Sequence, residues 1–300
     1  MLFHIRHVLH YRYAEPVFLE PTTVRLSPRQ DASQRLHHHS LVVEASPSGR
    51  SPILDVNGGE AVVLWFDDRR QELRLELDMR VETLRSNPFD WIVTEVEARR
   101  LPVTYPPAEA LALAPYRQGA EAISPMVTAW AETLAAEVGG DTGTLLIHLA
   151  DTIHHDFHHV GRPEGEPMTA EQTLADRTGA CRDTAMLYVE ACRSLGLAAR
   201  FVSGYSMHHP EEVTEHELHA WAEVYVPGGG WRGYDPSLGL AVADGHVALT
   251  SAPDHRLAAA VSGSYRGTGI ESTLTYGVVV TAAPTGKDLD ELLTKRKEDR

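Results

Sequence analysis

Cys181 stands in the stretch Thr178-Gly-Ala-Cys-Arg-Asp183, where a glycine turn meets the start of an apolar run with helical spacing. A histidine and an aspartate follow in two strand-like segments, His219 in His-Ala-Trp-Ala-Glu-Val-Tyr-Val and Asp235 in Gly-Trp-Arg-Gly-Tyr-Asp-Pro. A thiolate can attack an acyl carbon, an imidazole can move the proton, and a carboxylate can hold the imidazole in one tautomer. Cys181, His219 and Asp235 therefore read as a candidate Cys-His-Asp catalytic triad.

Each residue must be placed by its own element. Beyond Cys181 the apolar residues Ala185, Met186, Val189, Cys192 and Leu195 recur at steps of three and four, so one face of the helix is core. Gly196 is the expected C-terminal stop. Cys181 precedes the periodic run and shares the first turn with Arg182 and Asp183, at the helix end that favours an anionic sulfur. Cys192 fits a plain core position.

His219 and Asp235 flank Pro227-Gly-Gly-Gly230, a turn signal between two runs rich in aromatic and β-branched residues, which predicts a hairpin. Register then makes a demand. A symmetric four-residue loop sets Asp235 opposite Ala222, on the face away from His219. An odd loop, or one bulge, sets it opposite Trp221, diagonal to His219 at roughly 7–8 Å between backbones. The triad reading requires the odd loop or the bulge.

These stretches resemble the transglutaminase-like superfamily, in its bacterial branch with an N-terminal β domain. The resemblance rests on Thr-Gly-Ala-Cys-Arg-Asp-Thr-Ala (178–185), Arg-Ser-Leu-Gly-Leu-Ala-Ala-Arg-Phe-Val-Ser-Gly-Tyr (193–205), His-Ala-Trp-Ala-Glu-Val-Tyr-Val-Pro (219–227) and Gly-Trp-Arg-Gly-Tyr-Asp-Pro-Ser (230–237). His-Val-Leu-His-Tyr-Arg-Tyr-Ala-Glu-Pro-Val (7–17) and Val-Arg-Leu-Ser-Pro-Arg (24–29) extend it to the start, so that it covers residues 1 to about 265. It implies an α+β fold with a core like a circularly rearranged papain-type cysteine protease, helices packed on an antiparallel sheet or open barrel. It further implies Cys181 as nucleophile, His219 as general base and acid, and Asp235 as the orienting residue. Two positions depart from the family's habit, Ala198 where proline is common and Ala180 where a bulkier residue is common, and both bear on packing.

The elements around the triad fit that picture. Up to about residue 105, short strand patterns alternate with turn signals, including Val56-Asn-Gly-Gly, and Glu72-Leu-Arg-Leu-Glu-Leu-Asp-Met-Arg-Val-Glu reads as a half-solvated antiparallel strand. Leu101-Pro-Val-Thr-Tyr-Pro-Pro is the expected linker. Ser124-Pro125 starts one helix, running to about Val138, and a second runs from Thr144 to about Phe157 with Asp141 or Thr142 as its cap. Strands are expected from about Phe201 to Val280. The organisation expected is an N-terminal β domain over 1–105, a catalytic core over 106–284, and a polar, fraying tail over 285–300.

With 300 residues and 43% hydrophobic content the chain supports two domains with real cores. The 27 basic and 42 acidic residues leave a net charge of −15 and no basic stripe, which excludes nucleic acid as the expected partner and favours a cationic or neutral substrate. No apolar run has the length of a membrane span, and the first residues lack a signal-peptide core, so a cytoplasmic protein without a membrane partner is expected. The two cysteines lie eleven positions apart on one helix, roughly 16 Å of rise, too far for a disulfide. No cofactor and no metal is expected, and no calcium loop of the helix-loop-helix type is present in the sequence. His37-His38-His39 reads as solvated surface. In His154-His155-Asp156-Phe157-His158-His159 the pairs 154/158 and 155/159 would share helix faces, but Gly161-Arg-Pro follows closely and a helix end favours histidine without any metal. His208, His209 and His216 sit before His219, where they could rim a cleft, and Trp221 and Trp231 could wall it.

The expected substrate is a peptide or protein amide, attacked by the thiol to give a thioester, with a homo-oligomer left open. Water resolving the thioester gives a cysteine peptidase or amidase, and this is the favoured reading because water is always present whereas an amine site must be built. An acceptor amine gives a transglutaminase or amide ligase. A non-catalytic binding scaffold is the remaining alternative. Nothing in the N-terminal residues decides whether that domain meets substrate, a partner or a second subunit.

Overall fold

A computed structural model describes residues 1–44, 46–118, 122–162, 165, 167–208 and 218–298. Six strands come first, β1 (Leu2–Leu19), β2 (Thr22–Val24), β3 (Gln34–Glu44), β4 (Gly49–Leu54), β5 (Glu60–Trp65) and β6 (Arg69–Thr83). Helices follow as α1 (Pro107–Ala112), α2 (Ala114–Arg117), α3 (Pro125–Glu137) and α4 (Thr142–Asp156), then β7 (His158–His159), α5 (Ala170–Asp176), β8 (Thr178–Gly179) and α6 (Cys181–Ser194). The chain returns to strands in β9 (Ala199–Ser206), β10 (His219–Val226), β11 (Gly230–Asp235), β12 (Leu240–Ala241), β13 (His246–Ala252), β14 (Val261–Ser262), β15 (Tyr265–Arg266) and β16 (Ser272–Ala283), and α7 (Gly286–Glu298) ends it. The fold is α+β. Among the described residues no helix is long and apolar enough to cross a membrane.

Period-two patterning built the first sheet. Leu73, Leu75, Leu77, Met79 and Val81 of β6 are buried while their neighbours face outward. This sheet runs β15-β1-β6-β3, with β16 also paired to β1, and all its pairings are antiparallel. A smaller sheet, β14-β2-β5-β4, lies beside it in sequence.

The assignment of 106–284 to the catalytic core is corrected by these pairings. β14 pairs β2, while β15 and β16 pair β1, so the last strands complete the N-terminal sheets. Alternation marks a strand but not its partner, and the long free edge of β1 needed covering. The expected fraying tail is corrected too: 286–298 is helical, and Leu289 is buried. The helix docks on β16 and β1, with Leu289 buried and Arg80 meeting Asp290 at 3.2 Å.

The second sheet, β12-β11-β10-β9-β13, carries His219 on β10 and Asp235 on β11. It packs against α6, which is flanked by α3 and α5. α6 is more deeply enclosed than its periodic face predicts, since Leu187, Tyr188 and Ala191 are fully buried along with Ala185, Val189 and Cys192. Each large side chain so buried is worth about 1.5–3 kcal/mol. Helix starts follow local chemistry: the Ser124 side chain accepts from Met126 N, and Asp141 accepts from Thr144 N at 2.8 Å. The linker is docked rather than loose. The Tyr105 hydroxyl donates to Tyr225 O at 3.1 Å and accepts from Ala198 N at 2.9 Å, a bond that a proline at 198 would lack.

The two parts share buried groups. Tyr205, Val247 and Leu249 of the second sheet belong to the same apolar cluster as Phe3, Ile5 and Leu75. Arg29 reaches Glu223 on β10 through two bonds of 2.7 and 3.0 Å, and Arg200 on β9 meets the same carboxylate at 2.6 and 2.8 Å.

Candidate active site

Cys181 is the first residue of α6, partly exposed, and it lines one cleft with His219, on whose imidazole its sulfur acts electrostatically. The helix start is held by Asp183, whose carboxylate is fully buried. It accepts from Ala180 N at 2.8 Å, Met168 N at 2.8 Å and the Arg162 guanidinium at 2.5 Å. This carboxylate at the third helical position closes the first turn from below and fixes where the thiol projects. Gly179 makes room for it, because a Cβ there would stand 2.9 Å from Asp183 Cβ.

The hairpin resolves the register question. Val226 pairs with Gly230, leaving a three-residue loop of Pro227, Gly228 and Gly229. One step past the Ala222–Tyr234 pair, the same register sets Asp235 opposite Trp221. Gly228 permits the loop twice over, with φ at +83° and a Cβ position 2.6 Å from Ile92 O.

His219 Nε2 meets Asp235 Oδ2 at 2.6 Å, which leaves Nδ1 as the ring nitrogen not engaged by the carboxylate. Five contacts converge on Asp235. Oδ1 accepts from Ser237 N at 3.0 Å, Ser237 Oγ at 2.7 Å and Leu238 N at 3.2 Å, the local turn expected after an aspartate. Oδ2 receives both His219 and, at 2.9 Å, Nε2 of His246 from β13. Burial alone would push the Asp235 carboxyl up, but His219 and His246 outweigh it and hold it well below the usual carboxylate range. For His219 burial pulls down, and Asp235 together with Cys181 overcomes it, raising the imidazolium well above its ordinary value.

Sequence reasoning missed His246, because a lone strand histidine carries no signal of a partner eleven residues away on another strand. It also read Asp183 only as a first-turn neighbour, although a carboxylate three residues after a helix start is a capping signal. The 154–159 histidines do not form the two helical pairs considered from spacing. α4 stops at Asp156, and His158 and His159 pair in parallel with Thr178 and Gly179. His154 instead donates Nδ1–H to Ser237 O at 2.9 Å, buttressing the turn that holds Asp235. His37 meets Glu82 at the surface at 2.9 Å. His209 and His216 lie outside the described residues.

A cleft of about 550 Å³ opens over Cys181 and His219. Its near wall includes Phe201, Ser203 and Ala220, and its far wall is the N-terminal sheet, through Leu9 and Tyr11 of β1 and Leu274 and Tyr276 of β16. Neither Trp221 nor Trp231 lines it. Trp221 is buried behind the triad against His246, and Trp231 stacks under Arg200. The basic side chains along the described lining are Arg182, Arg256 and three histidines, of which burial keeps His7 neutral, with Arg256 paired to Asp254, and no carboxylate lines the cleft among the described residues, so the chain's acidic balance is not the sign of the cleft.

Among the described residues one group of three side chains brings potential metal-ligand atoms within 4.8 Å of one another, His219, Asp235 and His246. Its separations of 2.6 and 2.9 Å are hydrogen-bond lengths. Two ligands on one zinc at about 2.0–2.2 Å each stand roughly 3.3 Å apart, so this group fits protons rather than a metal.

Residues 128–236 match the family model of the transglutaminase-like superfamily, and residues 3–82 match that of the bacterial transglutaminase-like N-terminal region. An uncharacterized protein of Mycobacterium leprae is 26% identical over 272 residues, spanning 88% of this chain and 92% of its own length. A second, from Mycobacterium bovis, is 26% identical over 247 residues, 78% of each chain. A crystal structure of a candidate cysteine protease from Cytophaga hutchinsonii aligns over 95% of this chain and 92% of its own with a TM-score of 0.71 at 20% identity, a likeness of fold.

Proposed function

We propose that this chain, which belongs to the transglutaminase-like superfamily, is a cysteine enzyme that cleaves peptide or isopeptide amides through a thioester on Cys181. The observation that carries the reading is one imidazole between two groups: His219 Nε2 bonds Asp235 Oδ2 at 2.6 Å, and His219 lines the cleft together with Cys181, whose sulfur favours the imidazolium. That arrangement gives a proton to move and a place to keep it.

In the first step the Cys181 sulfur attacks the amide carbonyl, the carbon–nitrogen bond breaks, and the His219 imidazolium protonates the leaving amine. In the second step a water gives its proton to His219, attacks the thioester and releases the acid, and the thiol recovers its proton. The Cys181 backbone N–H, at the start of α6, is the natural donor to the oxyanion. Asp235 stays ionised throughout. The far wall of the cleft supports substrate contact by the N-terminal sheet, through Leu9, Tyr11, Leu274 and Tyr276.

The test is incubation with a quenched peptide library, with and without a primary amine such as putrescine, followed by mass analysis of products. Free acid from the wild type and none from Cys181→Ala supports hydrolysis. Amide adducts as the main product move the reading to acyl transfer. No turnover combined with an inert Cys181 leaves a scaffold.

A further inference from the structure

The triad uses only one of the two histidines on Asp235. We propose that His246 is a positioning residue of the catalytic centre: from β13 it donates Nε2–H to the carboxylate oxygen that also receives His219, fixing the rotation of Asp235 and tempering its pull on the catalytic imidazole. The inference rests on the catalytic reading of Cys181, His219 and Asp235.

Three observations carry it. First, Oδ2 of Asp235 has two histidine partners and Oδ1 three turn donors, so the carboxylate is fixed from β10, β13 and its own turn at once. An ionised carboxylate only accepts, so both Nε2 atoms must bear hydrogen, and the His219 ring is thereby held with Nδ1 as its other, unengaged nitrogen. Second, His246 is almost wholly buried, and its Nδ1 has no hydrogen-bond partner among the described residues. A charged ring would bury a second N–H with nothing to receive it, which makes His246 the neutral donor of the pair. Burial likewise lowers its proton affinity, against the opposing pull of Asp235. A buried nitrogen left unpartnered is the kind of cost native proteins retain at functional sites. Third, charged and titratable groups among the described residues act on the ring. They are Asp235 from β11, His219 from β10 and His208 after β9, with the Trp221 indole edge-on at 5.1 Å between centroids.

Sharing one oxygen has a chemical consequence. A second donor weakens Oδ2 as an acceptor for His219 and so makes the catalytic imidazolium a stronger acid, better able to protonate a leaving amine. Removing the donor while keeping the volume should do the reverse.

The experiment measures iodoacetamide alkylation of Cys181 against pH in the wild type, His246→Leu, His246→Gln and His219→Ala. It is paired with nitrogen-15 histidine spectra of the unmutated protein. In His246→Leu the alkaline transition of the alkylation profile, where His219 loses its proton, should move up by about half a unit or more, roughly a threefold change in proton affinity. His246→Gln, which keeps a donor of similar reach, should stay near the wild type. The spectra should show His246 as the neutral Nε2–H tautomer, a readout that does not depend on any variant folding. A His246→Leu profile that overlays the wild type, equal shifts in the leucine and glutamine variants, or an Nδ1–H tautomer each overturns the proposal. Failure of the catalytic reading looks different: His219→Ala then leaves the reactivity of Cys181 unchanged.

Discussion

Two buried carboxylates sit twelve residues apart on one hairpin and are treated in opposite ways. Glu223 on β10 is met by two guanidiniums, Arg29 and Arg200, which hold positive charge at every accessible pH. Asp235 on β11 is met by two imidazoles and three neutral donors of its own turn. Both carboxyls are held well below their ordinary range despite burial, Glu223 by Arg29 and Arg200, Asp235 chiefly by His219. The first cluster is a permanent clamp between the N-terminal segment and the second sheet. The second can trade a proton with a neighbour. On the proposed reading the contrast teaches that a buried acid can serve chemistry through partners that titrate and a third group, here Cys181, on the same cleft.

The sharpest way to break the comparison is Asp235→Asn. Its amide offers donors where two Nε2–H groups need an acceptor, so His219 must change tautomer or turn away, and turnover should fall by about 10⁴-fold with the fold retained. Single-turnover acylation of a peptide found in the library screen, alongside a urea denaturation curve, separates the two effects. An Asp235→Asn enzyme within tenfold of the wild type contradicts the assigned role.

Glu223→Leu should do the converse. It leaves two buried guanidiniums without their counter-charge and should lower stability by about 3–5 kcal/mol, while folded molecules alkylate at Cys181 as before. A loss of stability well under about 1 kcal/mol would show that water reaches the clamp and carries it.

The clamp also sets an acid limit. The Glu223 carboxyl binds protons less readily folded than unfolded, so its contribution is complete above its unfolded value of 4.5 and is lost as pH falls below that toward the folded value. The His219 contribution has the other sign, being present below its unfolded value of 6.5 and lost as pH rises through the higher folded one. Urea midpoints measured across pH should therefore decline at the acid end in the wild type and decline less in Glu223→Gln. Equal acid slopes would remove Glu223 from the account.

A smaller effect is expected at Gly179. The added methyl in Gly179→Ala meets Asp183 Cβ at 2.9 Å and Thr173 Cγ2 at 3.3 Å, which should cost about 1–3 kcal/mol and slow Cys181 alkylation by moving the start of α6. Unchanged alkylation with reduced stability would confine Asp183 to folding.

Much of the site was legible because its signals are local. A glycine before a helix start, a run of glycines between two strands and a proline after an aspartate each speak for themselves, and the odd loop followed from asking what register the chemistry needs. Helix caps at Ser124 and Asp141 were legible for the same reason. What could not be read were choices of distant partner. The pairing of β16 with β1 joins residues some 270 positions apart, and Arg29 meets Glu223 across 194. The bond from His246 to Asp235 and the support that His154 gives Ser237 are equally silent in one dimension. Spacing suggested metal-binding faces for the 154–159 histidines, whereas the chain leaves the helix at Phe157 and uses His154 to brace the aspartate's turn.

The most direct test of the central claim is the alkylation rate of Cys181 by iodoacetamide at about pH 6, where a free thiol of pKa about 8.5 is almost wholly protonated. The label is located by peptide mass, and the wild type is compared with His219→Ala. The account predicts that Cys181 reacts far faster than a free thiol at that pH and that losing His219 removes the advantage. A Cys181 no faster than a free thiol, or one indifferent to His219, would contradict it.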